Sequence, residues 1–285
     1  MSISGYIRPT DLADYEYCPR YFYINKIHPY NGKKTEKTVI GLFEHAVFEK
    51  YFDLTKLDWS DAGVVNGNEK DSLKSRVALI LDVELKIAKE NFGLFADYLE
   101  KDVGSLKLRL AELNEQKISQ LKMLIKKKIP LEQALNIVLP WKIEQWMQSE
   151  KYGIRGIADA IYQTENGGLI IEDIKSHDDR FDAYIHRTAH FAQGATYAIL
   201  AEEMYGMPVK KFQIFYSKDL TIETLKITKK SKLKVLNAID ESKQVLANGL
   251  PPKLEGDAAV KCQNCYKRDF CFSLDKKSKP MELLT

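Results

Sequence analysis

The sequence predicts an α/β fold, with a long helical region inserted between an amino-terminal helical segment and a strand-rich core. Within residues 1–52, "TVIGLFEHAVFEKYF" carries an apolar stripe at helical spacing. Two stretches between residues 71 and 138 are rich in Leu, Lys, Glu and Ala and contain no proline, which favours helices. Period-two alternation and turn signals follow Pro140, and these are typical of strands.

Composition limits the class of protein. The chain has 285 residues, of which 45% are hydrophobic, enough to bury a substantial core. Its 43 basic and 40 acidic residues nearly balance at a net charge of +3, so bulk charge does not indicate a nucleic-acid binder. No apolar run is long enough to span a membrane, and the first residues lack the layout of a signal peptide. We therefore expect a cytoplasmic protein that makes no membrane contact.

Four strands are predicted after Pro140. The alternating run "KIEQWMQSEKYGIRGIADAIYQ" ends at the turn signal "TENGG" and is interpreted as one strand, with "LIIEDIKS" as a second, more buried one. "VKKFQIFYS" and "LTIETLKIT" complete the set. A helix in "YIHRTAHFAQGATYAILAEEMYG" precedes these two strands, and the amphipathic "KKSKLKVLNAIDESKQVLAN" follows them. The polar, glycine-containing residues 53–70 are predicted to form a loop.

Acidic residues and a lysine occupy neighbouring strands of this prediction. Asp173 and Lys175 are two apart, so their side chains share a face, while Glu172 points to the other face. Asp159 lies on the preceding strand. Two acidic oxygens from adjacent strands suit Mg²⁺ or Mn²⁺, and a lysine beside them can orient a water or stabilise charge on a phosphate. Phosphodiester hydrolysis needs this combination.

A surface salt bridge is the alternative interpretation of an Asp-x-Lys pattern. The strand "LIIEDIK" is otherwise apolar, however. A charge in a buried strand costs free energy unless it is paired or binds a metal. That cost favours the functional interpretation.

The length of the hairpin loop decides whether Asp159 joins the pair on the next strand. A two-residue loop at Asn166-Gly167 would set Asp159 opposite Ile174. A three-residue loop over residues 165–167 sets it opposite Asp173. We predict the three-residue loop, because only this length gathers both carboxylates and the lysine on one face.

Two pairs of residues at helical spacing add to this set. Gln193 and Tyr197 are four apart on one helix face, where they could bond a phosphate or stack on a base. His45 and Glu49 are likewise four apart, and His45 could bind a metal or contact a phosphate. A lone histidine on a helix is otherwise a satisfied core or surface residue.

The cysteines form a second candidate site. Cys262, Cys265 and Cys271 stand in one short stretch, and Cys18 stands near the opposite end of the chain. In a reducing compartment, such cysteines are better interpreted as metal ligands than as disulfides. Four thiolates suit either Zn²⁺ or a [4Fe–4S] cluster.

The order of these motifs resembles the RecB-like branch of the PD-(D/E)xK nuclease superfamily. The matching pieces are, in order, His45 in "GLFEHAVFE", Asp159 in "GIRGIAD", Asp173-Ile174-Lys175, and Gln193-x-x-x-Tyr197. The resemblance implies a restriction-endonuclease-like core with a mixed central sheet flanked by helices. It implies that Gln193 and Tyr197 contact DNA. It also implies that His45, Asp159, Asp173 and Lys175 form the catalytic centre, with the metal held by the first three. A less specific match places Glu144 in "KIEQW" at an acidic position upstream of the first catalytic Asp.

The cysteine layout narrows the resemblance to nucleases with an iron–sulfur cluster, and among them to the CRISPR-associated RecB-like exonucleases, the fourth Cas family. This implies that a [4Fe–4S] cluster on the four cysteines joins the two ends of the chain. It also implies an Mg²⁺- or Mn²⁺-dependent exodeoxyribonuclease acting on single-stranded DNA or DNA ends, including 5′→3′. The expected partners are the integrase proteins of CRISPR adaptation, and a homo-oligomer is left open.

Two other functions remain open at this point. One is a RecB-like recombination or repair nuclease outside CRISPR, and the other is a non-catalytic DNA-end-binding subunit of an integration complex. The predicted segments are amino-terminal helices with Cys18 and the His motif (1–52), a helical insertion (53–139), a nuclease core (140–250) and a carboxy-terminal cysteine segment (251–285).

Overall fold

The computed structural model describes residues 5–28, 35–60, 69–176, 183–263 and 265–277. Its centre is a five-stranded sheet in the order β1-β2-β3-β4-β5. Neighbouring strands are antiparallel except β3 and β4, which run parallel, so the expected mixed sheet is confirmed. The strands are β1 (Lys142–Ser149), β2 (Ile154–Gln163), β3 (Leu169–Lys175), β4 (Val209–Tyr216) and β5 (Thr221–Lys226).

Helices flank the sheet on both faces. Among the described residues, three α-helices lie in the amino-terminal part, three in the predicted insertion, one in the β3–β4 crossover and two after the sheet. None of the helices, as far as the structure describes them, is long and apolar enough to cross a membrane. They are α1 (Pro9–Tyr17), α2 (Pro19–Ile27), α3 (Glu36–Ser60), α4 (Glu69–Asn91), α5 (Ala96–Lys126), α6 (Leu131–Val138), α7 (Ala183–Tyr205), α8 (Lys229–Asn248) and α9 (Arg268–Lys277).

The run predicted as a single first strand is in fact two strands. β1 and β2 are antiparallel, and Ser149 pairs with Ile154 across a turn over residues 150–153. Only Gly153, with φ of 63°, marks this turn in the sequence. The period-two alternation continues on both sides of this turn, so alternation alone does not reveal the break between the two strands.

The predicted loop over residues 53–70 is wrong at its start, because α3 continues to Ser60, and at its end, because α4 begins at Glu69. Thr55 and Trp59, four apart, are only 4% and 5% exposed. Tertiary burial along this helix stripe outweighs the polar composition of the segment. Residues 61–68 lie outside the described part of the chain, so the rest of the loop prediction is not addressed.

The two faces of the sheet bury separate apolar clusters. On the α7 side, Ile171 and Phe212 pack with Ala195 and Ala198. On the other side, the α3–α6 helices cover residues that include Ile174 and Phe215. Helix α7 lies very close to the sheet, since a Cβ at Gly194 would come within 2.3 Å of Phe212 Cγ. A side chain at that position would therefore force the helix away from the strands.

The hairpin between β2 and β3 has the predicted three-residue loop. Gln163 pairs with Leu169 and Ala160 with Glu172. The backbone N–H of Thr164 donates to the Gly168 carbonyl at 2.9 Å, which leaves residues 165–167 in the loop. Gly167 supplies the left-handed backbone that such a loop needs, at φ 73°. This register places Asp159 across from Asp173.

A buried ion pair attaches the helical region to the sheet. Arg109 on α5 donates to Glu44 Oε1 on α3 at 2.7 Å and to the carbonyl of Ser217, just after β4, at 2.8 Å. The Ser217 hydroxyl donates to Glu44 Oε2 at 2.8 Å. The Glu44 side chain is 0% exposed. Its burial raises its pKa, and Arg109 opposes that shift.

We expect Arg109→Ala to lower the free energy of unfolding by about 3–5 kcal/mol, because it leaves the Glu44 carboxylate buried without its cation. Urea unfolding followed by circular dichroism measures this loss. Arg109→Met combined with Glu44→Met removes both charges and should cost less than Arg109→Ala alone.

Lys127→Ala is the matched control. It removes an exposed ion pair to Glu165, with the two side chains 52% and 46% exposed, and should cost less than about 1 kcal/mol. Equal losses for Arg109→Ala and Lys127→Ala would contradict the importance of the buried pair.

Candidate active site

Three carboxylates lie in register across the first three strands. Ile143 pairs with Ala160 and Gln145 with Ala158, so Glu144 on β1 lies across from Asp159 on β2. The β2–β3 register continues this row to Asp173. Glu144 has a positive φ of 46°, which is uncommon for a residue with a side chain and is found at functional sites.

Helix α3 brings a histidine to this row. His45 Nε2 lies 3.2 Å from Asp159 Oδ2 and 3.8 Å from Glu144 Oε1. One ligand atom from each of these three residues falls within 4.8 Å of the others, so together they could hold a metal ion. Imidazole and carboxylate are ligand types that divalent cations accept.

Asp159 also interacts with the neighbouring strand through its side chain. The ladder pairs of β2 and β3 end at Ala160 and Glu172. Beyond the end of this ladder, the backbone N–H of Ile174 on β3 donates to Asp159 Oδ2 at 2.7 Å. This bond holds the carboxylate in place beside His45.

Asp173 is bound by two polar neighbours of its own. Gln193 Nε2 on α7 donates to Asp173 Oδ1 at 2.7 Å. Lys175 Nζ lies 2.8 Å from Asp173 Oδ2. Within the described ranges, Asp173 does not belong to the group of possible ligands around His45. Its predicted roles as metal ligand and catalytic residue, and the roles of the other site residues, stay predictions.

The predicted DNA-contacting residues are buried under the site. Gln193 and Tyr197 are 4% and 5% exposed. The Tyr197 hydroxyl donates to the Ile157 carbonyl of β2 at 2.6 Å, while Gln193 bonds Asp173. Both therefore link α7 to the strands that carry the carboxylates. Their contact with DNA stays a prediction.

Glu172 is buried in different surroundings from those of Asp173. It accepts a hydrogen bond from the Tyr162 hydroxyl at 2.8 Å. The nearby cation is Lys117 of α5, whose ammonium lies 5.0 Å from the centre of the Tyr162 ring. Burial raises the pKa of Glu172, and the Lys117 charge opposes that shift. The expectation that Glu172 and Asp173 point to opposite faces is thus confirmed.

One comparison with known proteins shows the family of the chain. A family described as the PD-(D/E)XK nuclease superfamily matches residues 7–272. The chain belongs to this superfamily. A crystal structure described as that of a "putative exonuclease" from Eubacterium rectale covers 94% of this chain and 88% of its own, at 13% identity and a TM-score of 0.43. At that distance the likeness carries no argument. No curated protein matches the chain.

Electrostatics distinguish the ionisable residues of this nuclease site. The hydrogen bond to Asp159 raises the pKa of His45 to about 9. Burial raises the pKa of Glu144 to about 7, and the Asp159 charge adds to this effect. Burial also raises the pKa of Asp173, against the influence of Lys175. The site therefore holds exchangeable protons near neutral pH.

Glu144 is the site residue that sequence reasoning placed least securely. The resemblance alone suggested it, because the run from Lys142 to Gln163 was interpreted as one strand. Had Gly153 been recognised as the end of a turn, the β1–β2 register would have put Glu144 across from Asp159. The available signal was therefore one glycine in "SEKYGI".

The cysteines lie where the two ends of the nuclease meet. Cys18 precedes α2, Cys262 ends a short helical turn over Gly256–Cys262, and Cys271 lies in α9. The segments are joined by reciprocal bonds, since Tyr17 OH donates to the Lys261 carbonyl at 3.0 Å and Lys261 Nζ to the Tyr17 carbonyl at 2.9 Å. All four thiols are free of disulfides.

A buried arginine reinforces this junction. Arg20 is 4% exposed. It donates to Cys271 Sγ at 3.1 Å, to the Cys271 carbonyl at 3.2 Å and to the Pro251 carbonyl at 2.6 Å. It thus places a positive charge beside a sulfur atom and links α2 to the carboxy-terminal segment.

The thiols lie in environments that bear on ligand formation. Burial raises the pKa of Cys18, and the nearby Cys262 and Cys271 raise it further. Backbone amides of Arg20 and Tyr21 at the start of α2 oppose that shift. A helix start favours negative charge, so these amides would stabilise a Cys18 thiolate once a metal displaces its proton.

We expect the affinity for Mn²⁺ to rise from about pH 6 to about pH 8, because metal and protons compete for the same atoms. Glu144 loses its proton as pH passes about 7, and His45 does so toward about 9. Electron paramagnetic resonance of free Mn²⁺ measures the binding at each pH.

His45→Gln should weaken Mn²⁺ binding and flatten its pH dependence above about pH 7. Glu112→Gln, which removes an exposed carboxylate on α5, is the control and should leave the profile unchanged. An affinity independent of pH in the unaltered protein would rule out proton-competed binding at this cluster.

Proposed function

We propose that this protein is a metal-dependent DNA exonuclease that degrades single strands and DNA ends, including in the 5′→3′ direction. The observation that carries the proposal is the convergence of His45, Glu144 and Asp159 on one point, next to Asp173 and Lys175. A histidine, carboxylates and a lysine supply what phosphodiester hydrolysis requires: ligands for a cation, a base and a positive charge for the phosphate.

Each residue has a role in this proposal. His45, Glu144 and Asp159, with Asp173 as a further ligand, would hold Mg²⁺ or Mn²⁺, which activates a water and neutralises charge on the phosphate when bound. Lys175 orients the attacking water or the scissile phosphate, and Asp173 holds the Lys175 ammonium at 2.8 Å. Gln193 in turn fixes the Asp173 carboxylate.

Proton transfer follows from the same groups. Hydrolysis removes a proton from the attacking water and delivers one to the leaving alkoxide. Glu144, with a pKa raised to about 7, can exchange a proton with a nearby water at neutral pH. The row of carboxylates is therefore suited both to ligation and to proton transfer.

We expect Asp159→Asn to abolish cleavage, a loss of at least about a thousandfold, because the ligand charge is removed. Asparagine keeps an oxygen that can accept the Ile174 amide, so the fold should be retained, as circular dichroism can verify. Single strands labelled separately at their 5′ and 3′ ends, with Mn²⁺ present, give the rate and the polarity.

Glu165→Gln is the control for this substitution. It removes a carboxylate from the loop of the same β2–β3 hairpin and should cleave at the unaltered rate. Full activity in Asp159→Asn would exclude the assigned centre, and absence of cleavage in the unaltered protein with Mg²⁺ and with Mn²⁺ would favour a non-catalytic DNA-end-binding subunit.

The cysteine junction supports a [4Fe–4S] cluster within the same proposal. The ligand spacing, with one C-x2-C step, a wider step to Cys271 and the distant Cys18, differs from the paired C-x-x-C spacing that is usual in zinc sites. Arg20 beside Cys271 Sγ would offset the negative charge of the thiolates.

Anaerobic purification should therefore give a protein with a broad visible absorption band and about four irons per chain, with little zinc. Cys18→Ala should lose the iron and lower the melting temperature, because binding a metal at this junction also stabilises the fold. Ser273→Ala, in α9 beside Cys271, is the control and should keep the iron. About one zinc per chain and no iron would overturn the cluster in favour of Zn²⁺.

The biological setting is the last part of the proposal. We infer a role in the adaptation stage of CRISPR immunity, in the cytoplasm, where the nuclease would process DNA for the integrase proteins. A recombination or repair nuclease outside CRISPR would use the same centre. Co-purification with the integrase proteins encoded nearby, if any are, tests the first setting against the second.

A further inference from the structure

An exposed apolar pair lies next to the metal-ligand cluster. Trp146 on β1 and Ile157 on β2 are cross-strand partners. Their exposed fractions are 48% and 43%. The residues that follow them, Met147 and Ala158, are buried, at 0% and 1% exposed. This face of the two strands is therefore open to solvent while the other is covered.

The pair belongs to a strip that also carries a cation and a second aromatic ring. The Arg155 guanidinium lies 5.8 Å from the centre of the Trp146 ring and 5.2 Å from that of Tyr6. Gln148, across from Arg155, donates to the Tyr6 hydroxyl at 3.1 Å. We call these four side chains, Tyr6, Trp146, Arg155 and Ile157, the aromatic strip.

The strip continues directly into the cluster. Ile157 precedes Asp159 by two residues on β2, and Trp146 is the cross-strand partner of Ile157. Side chains two apart on a strand leave the same face about 6.7 Å from each other. The strip therefore begins one side-chain row from the carboxylates. A nucleotide next to the one at the metal centre would reach it.

We propose that the aromatic strip stacks the unpaired bases of a DNA strand whose phosphate lies at the metal centre. This inference rests on the proposed nuclease function and adds to it the residues that bind the unpaired bases of the substrate. The flat Trp146 ring offers a stacking surface for any base, Arg155 supplies charge for the backbone, and Ile157 extends the apolar floor.

The chemistry of the strip favours a single strand over other occupants. In a duplex, bases are stacked on each other, so their faces are not available to an indole ring, whereas an unpaired strand presents them. A protein partner would also contact Trp146 and Ile157. It would not explain why the strip ends at ligands for a phosphate-binding cation, and continuity with that centre decides for DNA.

Binding without cleavage tests the proposal directly. The unaltered protein in EDTA is titrated into a labelled oligothymidylate of about 15 nucleotides and, separately, into a blunt hairpin duplex. Trp146→Ala should weaken single-strand binding by about tenfold or more, as the loss of one stacked base predicts. Trp146→Phe, which keeps a ring, should stay within about threefold of the unaltered protein.

The matched control is Tyr98→Ala. Tyr98 on α5 is also an exposed aromatic residue, 44% exposed, with Lys101 5.8 Å from its ring centre. It lies outside the strip, so its removal should leave binding unchanged. A second readout is tryptophan fluorescence, where quenching by oligothymidylate should be largely lost in Trp146→Phe, since Trp59 is only 5% exposed and the Trp141 ring packs against Tyr205.

The outcomes separate the strip from the nuclease proposal. Unchanged single-strand affinity in Trp146→Ala, or equal losses for single strand and duplex, overturns base stacking on the strip even if the protein cleaves DNA. A selective loss for single strands in a protein that never cleaves would leave the strip standing and remove the nuclease proposal. Equal losses in Trp146→Ala and Tyr98→Ala would point to a docked protein or non-specific surface effects and would also overturn the strip.

Discussion

Carboxylates in the middle of a sheet carry a large desolvation cost, and the structure around this row can be understood as compensation for it. Asp159 accepts the Ile174 amide and pairs with His45. Asp173 receives Gln193 and lies beside Lys175. The compensating groups come from three elements: α3, β3 and α7. The fold therefore has to hold a helix on either side of the sheet at fixed distances, and the close approach of Gly194 to Phe212 is one result.

The helical region between α3 and β1 takes part in that positioning. His45 is adjacent in sequence to Glu44, and Glu44 is fixed by Arg109 of α5 and by Ser217 after β4. The two side chains leave α3 in different directions, one into a buried ion pair and the other toward the carboxylates. Helix α5 thus sets the rotation and depth of α3 and, through them, the place of His45. A helical region that lay only on the surface would not need a buried arginine in contact with Glu44 and Ser217.

The sequence was informative where local geometry decides. The β2–β3 register followed from the length of one loop, and the loop has the predicted three residues because Gly167 tolerates its left-handed backbone. Glu144 was less accessible, since the turn before β2 leaves the alternation intact. Tertiary contacts lay beyond sequence reasoning altogether. Nothing local says that Gln193 will bond Asp173, that Tyr197 will bond a β2 carbonyl, or that burial of Trp59 will extend α3.

The cysteine junction can influence the centre only through packing, and the path is visible. Cys18 follows α1, and α1 packs along α7. At their contact with β2, a Cβ on Gly156 would lie 2.7 Å from Pro9 Cδ of α1 and 3.2 Å from Tyr197 Cε1 of α7. An amino-terminal segment released from the junction would therefore loosen α1 first and then the Tyr197 and Gln193 side of α7. Asp173 depends on Gln193, whereas His45 and Asp159 are held by α3 and by the β3 backbone. Loss of the cysteine junction should therefore disturb the Asp173 and Lys175 pair before it disturbs His45 and Asp159. The stability of the amino- and carboxy-terminal segments can thus change separately from the chemistry at the centre.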